Sequence, residues 1–437
     1  MSIKPKLRTF DLSMIMISLV IGFGIFRTPA IVANAVETEN MFYLVWLIGG
    51  IISLCGALTF AEVGARYPVP GGFYQIFSHC YHPAYALMLN WVLLLTMAAS
   101  FAGAALIGAE YIIPVILPEQ ADSEVFTQLT AIAMIAGLWV LNYMGIKTGS
   151  KTQNLLSVIK ILLILGIILA SFRSAETTVL TDAIPHSSGN HWLLAIAMGL
   201  IPVFYTFGGY HQTMNFGGDI QNPERNIPRS IFIGIGVIIV LYLAINIAYV
   251  KVLGFSGVQN SSLVAADVAE KTLGSYGSIF ISLTIFFSVM GFLNATLMST
   301  PRMYYAMAED KMLPSVFKQV NPDTQVQEFS LAFYVIASLI SLVIFKSFEN
   351  ILNYVMFIDS LALGTAAAAI FILRRRSDGT YSGFKVPLYP VIPILFIIFL
   401  LGVSLNILMN DTQNALPGLG LFLMGLPIYL GMKRINK

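Results

Sequence analysis

Charged side chains are scarce in this sequence. Lys and Arg together number 24 and Asp and Glu 22 among 437 residues, so charged residues make up 11% of the chain. Soluble domains carry about 25%, and a water-facing surface of this size cannot be built from so few charges. The net charge of +2 also lacks the basic excess of a nucleic-acid-binding protein. A soluble enzyme, a disordered scaffold and a nucleic-acid binder are therefore excluded.

Residues for site chemistry are scarce as well. Two cysteines, Cys55 and Cys80, exclude a disulfide framework, and the five histidines have no metal-ligand spacing. No Walker-type loop for ATP appears, and no nucleophile–base pair lies at membrane depth. We therefore expect no catalytic residues, no metal and no cofactor. No linker rich in Pro, Gly or Ser interrupts the chain, so residues 1–437 are predicted to form one domain.

Apolar residues, in contrast, make up 57% of the chain. A transmembrane helix needs about 20 mostly apolar residues, and these runs do not alternate as barrel strands do. The predicted fold class is an all-α polytopic membrane protein. Its twelve transmembrane helices are predicted at 10–35, 42–66, 83–114, 126–145, 151–172, 191–215, 229–253, 276–307, 329–346, 350–373, 386–409 and 414–432.

The cations predict how the chain is oriented. With the N-terminus inside, the cytoplasmic segments hold 18 Lys and Arg residues, and the outer segments hold only Arg173, Lys251, Lys271 and Lys346. Because cytoplasmic loops are enriched in Lys and Arg, both termini are predicted to be cytoplasmic. We expect a multi-pass protein of the cell membrane, plasma or inner.

Two spans contain glycines that an ordinary lipid-facing helix would avoid. The first carries Gly22 and Gly24, and the sixth carries Gly208 and Gly209. Gly costs about 1 kcal/mol relative to Ala in a helix, and freed backbone groups at membrane depth must be buried in protein or line a cavity. Close helix packing explains either pair alone equally well. Two breaks five spans apart are typical of an inverted repeat with a midplane substrate site.

Such a site suits a zwitterion, since unwound N–H groups bind a carboxylate and freed carbonyls bind an ammonium. The predicted repeats are residues 10–172 and, inverted, residues 191–373. Residues 386–432 would then form two additional helices. This five-plus-five arrangement makes the broken helices 1 and 6 equivalent positions of the two repeats.

The sequence also resembles the amino acid–polyamine–organocation (APC) superfamily, and within it the L-type amino-acid transporter branch and its bacterial relatives. The resemblance covers at least residues 10–320. It rests on motifs that are weak singly and occur in order: Gly22-Phe23-Gly24-Ile25-Phe26 with Pro29, Ala61-Glu62-Val63-Gly64-Ala65-Arg66-Tyr67-Pro68 with Gly71-Gly72-Phe73-Tyr74, Phe207-Gly208-Gly209-Tyr210 with Asn222-Pro223-Glu224-Arg225-Asn226-Ile227-Pro228, and Gly291-Phe292-Leu293-Asn294 with Arg302 and Met312-Leu313-Pro314.

The resemblance implies a LeuT-like fold and a set of substrate contacts. The substrate carboxylate would meet the N–H groups of Phe23 and Gly24. The ammonium would meet the carbonyls of Val20, Tyr205 and Gly208, and Tyr205 would cap the substrate. The full set of candidate substrate-binding residues is Val20, Ile21, Gly22, Phe23, Gly24, Ile25, Tyr205, Thr206, Phe207 and Gly208. The family usually has Ser at position 23 and Trp at position 210, so this sequence lacks one carboxylate contact.

Lys160 lies well inside the fifth predicted span. A lysine near a helix end can extend to the interface, which is the alternative to a functional role. In the functional interpretation its ammonium donates to the Gly22 region and to Ser288 of span eight. The resemblance implies that it there replaces the sodium ion of sodium-coupled relatives, which predicts sodium-independent transport. Its position also makes Lys160 a candidate proton carrier.

Arg27 and Asp359 are the other charges within the spans. Charges inside a membrane are rare and usually have a partner or a wet cavity. Asp359 is either solvated near the outer surface or paired with Arg27 as an extracellular gate, to which Tyr205 would also belong. The pairing rests on analogy with this fold, in which spans one and ten meet beside the outer vestibule. If Asp359 faces the pocket instead, a cationic amino acid or a polyamine is the better substrate.

The predicted function is sodium-independent secondary transport of L-amino acids, neutral and small to medium, by alternating access. Exchange and proton-coupled symport both remain open. The alternatives are a cationic amino acid or polyamine transporter of the same fold, and a nutrient-sensing receptor, which would be expected to carry a signalling extension. The expected partners are the substrate and the lipid bilayer. No covalent partner subunit is expected, because Cys55 lies within a span and Cys80 on the cytoplasmic side; a homo-oligomer is compatible with the sequence.

Overall fold

The computed structural model describes residues 3–173, 191–344, 349–377, 381–410 and 412–435. These residues confirm the predicted all-α class, since their only β pairings are two isolated bridges. The helices are α1 (Thr9–Val20), α2 (Gly24–Ala35), α3 (Glu39–Arg66), α4 (Gly72–Cys80), α5 (Pro83–Ile116), α6 (Glu124–Tyr143), α7 (Ile146–Arg173), α8 (His191–Thr206), α9 (Pro223–Leu253), α10 (Phe255–Asn260), α11 (Val264–Leu273), α12 (Gly277–Glu309), α13 (Glu328–Ile344), α14 (Glu349–Arg376), α15 (Val391–Asn410) and α16 (Thr412–Ile435).

Most of these helices are long and apolar enough to cross a membrane. Within the described residues ten helices qualify by length and composition, and the bent pair of α1 and α2 adds an eleventh. The ninth predicted span corresponds to α13, a shorter apolar helix that ends just before residues 345–348, which lie outside the described ranges. The chain is therefore a multi-pass membrane protein with ten or eleven qualifying spans among the described residues, and α13 is too short there to be counted with them.

Burial separates the inner helices from those at the rim of the bundle. In the most apolar windows of α3 and α5, 61% and 67% of the residues are buried, against 22% in α6 and 17% in α16. The rim helices leave large apolar side chains exposed, among them Val140 and Leu423. Lipid tails are as apolar as these side chains. A surface that faces lipid needs no charged side chains, which explains why the chain has so few.

The N-terminal segment closes one end of the bundle, called here the N-terminal end. The N–H groups of Lys6 and Leu7 donate to the carbonyl of Asp219 at 2.8 and 2.9 Å, and the N–H of Gln221 donates to the Leu7 carbonyl at 3.0 Å. Beside them, Arg302 of α12 forms a buried two-pronged ion pair with the Asp219 carboxylate, with N–O distances of 2.6 and 2.8 Å. The segment before the first span is thereby joined to the loop after the sixth.

A second buried carboxylate ties the later helices to the end of α3. Glu62 accepts hydrogen bonds from Arg66 and from Arg374 of α14, each at a closest distance of 2.6 Å. It also accepts one from the N–H of Val386, just before α15, at 2.6 Å. A buried carboxylate is stable only with such partners. Glu62 therefore belongs to the closed bundle and not to a ligand site.

Candidate substrate site

The first span is broken at its glycines. α1 ends at Val20 and α2 begins at Gly24, and the two halves meet at an angle of 47°. A tight turn joins them, because the N–H of Gly22 donates to the carbonyl of Val20 at 2.9 Å. A Cβ atom at Gly22 would meet no atom within 4 Å. Open space thus adjoins the break, next to the start of α2, where a helix has N–H groups without partners in its own backbone.

The sixth span is also broken as predicted. α8 ends at Thr206, and the chain continues as a 3₁₀ helix, Tyr210–Asn215. Between them Gly209 has a φ of +107°, and a Cβ atom there would lie 2.5 Å from the carbonyl oxygen of Leu19. Only glycine combines this backbone conformation with so close an approach. The second break therefore packs against the first, backbone to backbone.

Side chains also join the two breaks. The hydroxyl of Thr206 lies 2.8 Å from that of Thr28 in α2, and a Cβ atom at Gly24 would be 3.5 Å from the Thr206 side chain. The hydroxyl of Tyr242 in α9 lies 3.3 Å from the Val20 carbonyl and 3.2 Å from the Thr206 carbonyl. Tyr242 therefore bridges the carbonyls at the ends of both half-helices.

Tyr242 is a residue that the sequence analysis missed. Its ring packs against Phe207 and Trp46, with centroids 4.8 and 6.0 Å away. Within span seven it is one aromatic residue among many, and spacing alone cannot distinguish it. A buried hydroxyl needs a hydrogen-bond partner, but the sequence does not reveal which carbonyl supplies it.

Exposure separates the candidate residues into two groups. The residues that remain partly exposed at the breaks are Gly22, Phe23, Gly24, Tyr205 and Gly208. Those that are buried are Val20, Ile21, Ile25, Thr206 and Phe207. In the first group the three glycines can present only their backbone to a ligand, and Phe23 and Tyr205 can also present a ring.

The arrangement has the chemistry to hold a zwitterion. The start of α2 is the positive end of a helix dipole and suits a carboxylate. The Tyr205 carbonyl accepts from the N–H of Gly208 and has a second lone pair for an ammonium. The Val20 carbonyl accepts from the N–H of Gly22 and lies 3.3 Å from the Tyr242 hydroxyl, so an ammonium there would take the place of that hydroxyl. No cluster of potential metal ligands occurs among the described residues.

Lys160 of α7 lies directly behind the first break. Its side chain is fully buried, and its ammonium donates to the carbonyl of Ile21 at 2.5 Å and to the hydroxyl of Ser18 at 3.4 Å. α12 approaches it through Gly291, where a Cβ atom would lie 3.2 Å from the ammonium nitrogen. The expected bond to Ser288 is not formed, and the buried Ser288 hydroxyl has no hydrogen-bond partner among the described residues.

A chain of buried polar side chains continues from Ser18 toward the N-terminal end. The Ser18 hydroxyl lies 2.8 Å from Ser157, and the Gln153 amide donates to Ser157 at 3.1 Å. Asn294 of α12 donates to Gln153 at 2.8 Å and accepts from Asn142 of α6 at 2.7 Å. Every link joins two helices or two turns of one helix. Asn294 is therefore an interhelical hydrogen bonder.

The surroundings of Arg27 and Asp359 bear on the predicted gate. Arg27 is exposed. Asp359 is partly exposed, and its carboxylate lies within electrostatic range of the hydroxyls of Tyr205 and Tyr210 at the second break. The Arg27–Asp359 gate stays a prediction.

A bundle of apolar helices, two of them broken around partly exposed backbone, defines the class of protein as a secondary membrane transporter. Comparison with known proteins identifies the family. The model of the family described as amino acid permease matches residues 7–427. The chain belongs to the amino acid permease family and is an amino-acid transporter, as its resemblance to the APC superfamily indicated.

Similar curated proteins agree with this assignment over almost the whole chain. The chain is 29% identical to the serine/threonine exchanger SteT of Bacillus subtilis, covering 96% of this chain and 95% of that protein. It is 27% identical to the human cystine/glutamate transporter, covering 95% and 82% of the two chains. It is 26% identical to the mouse large neutral amino acids transporter small subunit 2, covering 95% and 78%.

Proposed function

We propose that this transporter moves L-amino acids without sodium, by alternating access around the two broken helices. The observation that carries the proposal is the buried ammonium of Lys160 on the Ile21 carbonyl. This carbonyl is freed by the first break, and a positive charge already stabilises it from behind. A sodium ion would have to compete with that ammonium for the same electronegative group.

In the proposed pose, the substrate carboxylate accepts from the N–H groups of Phe23 and Gly24. The substrate ammonium donates to the carbonyls of Val20, Tyr205 and Gly208, and the Tyr205 ring covers the substrate. The partial exposure of Phe23, Gly24 and Tyr205 supports this pose. Phe23 has no hydroxyl, so the carboxylate is held by backbone groups alone.

We propose a neutral substrate of small to medium size and exchange as the mode of transport. The names of two relatives, a serine/threonine exchanger and a transporter of large neutral amino acids, support a neutral substrate. The name of the first also supports exchange. Proton-coupled symport is the competing mode, with Lys160 as the candidate proton carrier.

Uptake into proteoliposomes tests substrate, mode and ion dependence together. We expect internal serine or threonine to raise the initial uptake of labelled serine several-fold, and replacement of sodium by choline to leave it unchanged. Protein-free liposomes are the control. Accumulation that needs external sodium would contradict the proposal, and accumulation driven by external acid without internal amino acid would replace exchange by proton coupling. Substrate binding without any transport would favour a receptor.

Asp359 supports a second candidate, the transport of cationic amino acids or polyamines. Its carboxylate lies near Tyr205, the proposed capping residue. A substrate whose side chain ends in an ammonium would find a counter-charge there. Such a pair in a water-poor site is stronger than the same pair in water.

Asp359→Asn distinguishes the two candidates. If Asp359 contacts a cationic substrate, inhibition of serine uptake by lysine or putrescine should weaken about 10- to 100-fold, because a hydrogen bond to a charged group is lost. The apparent affinity for serine should stay unchanged. The exposed Asp122→Asn is the matched control. If neither cation inhibits the wild-type protein, only the neutral candidate remains.

The placement of the protein in its membrane is also a proposal. We propose that both termini and the N-terminal end are cytoplasmic, that the two repeats are residues 10–172 and 191–373, and that no covalently attached subunit is needed. The location of Cys80 in α4, buried beside the helices of the N-terminal end, supports the last point. One relative is named a small subunit, so migration on a non-reducing gel is the direct test.

A further inference from the structure

A cavity of about 510 Å³ opens at the N-terminal end, between the N-terminal segment, the start of α1 and the start of α7. Four cations line it, Lys6, Arg8, Lys147 and Lys151. Binding sites for small ligands have volumes of about 300–1,000 Å³. None of the residues at the two helix breaks lines the cavity, and the proposed substrate pose does not use it.

The positive charge of this cavity is not neutralised by the protein. Among the described residues, none of these four cations forms an ion pair with a carboxylate, and the Lys6 ammonium donates to the Asp323 carbonyl at 3.4 Å. The one carboxylate in the lining, Asp11, accepts hydrogen bonds from Ser150 and Asn154 at 3.0 and 2.7 Å and from the N–H of Arg8 at 2.9 Å. Asp11 offsets one of the four positive charges, and the lining keeps a surplus of positive charge.

The exposed face of α7 shows that the cavity lies at the level of the lipid headgroups. Leu155 and Leu162 are each 61% exposed and lie on the lipid-facing side of this helix. Lys147 and Lys151 are exposed too, and spacings of four and seven residues put them on the same face. The face therefore changes from apolar to cationic within one turn, between residues 151 and 155, as at the boundary between acyl chains and headgroups.

We propose that this cavity binds the phosphate headgroup of an anionic phospholipid, whose acyl chains lie along the apolar face of α7. Basic pockets between membrane helices bind such headgroups. Phe10, which lines the cavity and is 55% exposed, adds apolar surface at the same level. The bound headgroup would connect α7 with Lys6 and Arg8, and would thereby stabilise the closed N-terminal end.

The test uses the full-length protein in a neutral detergent and follows its melting temperature. Dioleoylphosphatidylglycerol should raise the melting temperature in a saturable way, and dioleoylphosphatidylcholine should not. In Lys147→Gln/Lys151→Gln the half-saturating lipid concentration should rise about 30-fold, the effect of losing two cations near an anionic headgroup. Both lysines are exposed, so the variant without lipid should melt like the wild type.

Lys433→Gln/Arg434→Gln is the matched control, since it removes the same charge from exposed positions outside the cavity. An equal loss of affinity in this control would overturn the proposal, because the lipid would then follow the overall surface charge. Unchanged affinity in the cavity variant would overturn it too. Protection by inorganic phosphate alone, lost in the cavity variant, would support the anion site and identify a free anion as its ligand.

Discussion

Replacement of Lys160 by alanine is expected to lower amino-acid exchange about 10- to 100-fold. The ammonium makes charged hydrogen bonds to the Ile21 carbonyl and to Ser18, and a bond to a charged group is worth about 1.5–3 kcal/mol. An energy of 1.4 kcal/mol corresponds to a factor of ten. Loss of these bonds should displace the first break and so lower the exchange rate about 10- to 100-fold. Initial rates of labelled serine exchange in proteoliposomes measure the effect.

The control for Lys160 must separate transport from folding. Lys271→Ala removes an exposed lysine and should exchange like the wild type. The Lys160→Ala variant should still elute as a single species in size exclusion, since removal of the buried ammonium leaves no unpaired charge in the bundle. A folded variant with wild-type exchange would show that Lys160 has no part in transport. A change in apparent affinity with an unchanged maximal rate would assign it to binding alone.

Replacement of Arg302 by methionine should destabilise the protein by about 3–5 kcal/mol, because it leaves the buried Asp219 carboxylate without its counter-charge. Arg302 is 4% exposed and Asp219 is fully buried. The guanidinium also stacks over the Phe216 ring at 4.6 Å and donates to the Met298 carbonyl. A fall of the melting temperature by several degrees measures the loss.

The double variant Asp219→Asn/Arg302→Met decides whether the unpaired charge is the cause. It should recover part of the stability, since no buried carboxylate remains. Arg225→Met, at an exposed position, should melt like the wild type. If the double variant melts no higher than Arg302→Met alone, the loss comes from packing around the arginine side chain and not from its charge.

The broken helices were predictable because their signal is local. Gly22 and Gly208 lie in apolar runs of membrane-spanning length. A glycine in such a run weakens the helix at that residue, whatever the helix packs against. The position of Lys160 inside its span was equally readable, since its distance from the helix ends is a matter of counting. Its ammonium was predicted to donate to the Gly22 region, and in the structure it donates to the neighbouring Ile21 carbonyl.

Partners of side chains were less predictable. The sequence analysis paired Lys160 with Ser288, whereas the ammonium donates to the Ile21 carbonyl and to the Ser18 hydroxyl, and α12 approaches it through Gly291. Pairing depends on how a helix is rotated about its own axis, and each further residue turns the side chain by about 100°. The short helices α4, α10 and α11 also escaped prediction, because they lie in connections that no hydropathic run marks.

By itself the sequence determined that the protein lies in a lipid bilayer, which segments are apolar and where two helices break. Each of these follows from the chemistry of a few neighbouring residues and needs no knowledge of the fold. Only the tertiary structure decided that Tyr242 bridges both breaks, that Asp359 lies by Tyr205 and that Asp219 pairs with Arg302. These contacts join helices far apart in the chain, and the packing of the whole bundle sets their relative rotation and depth.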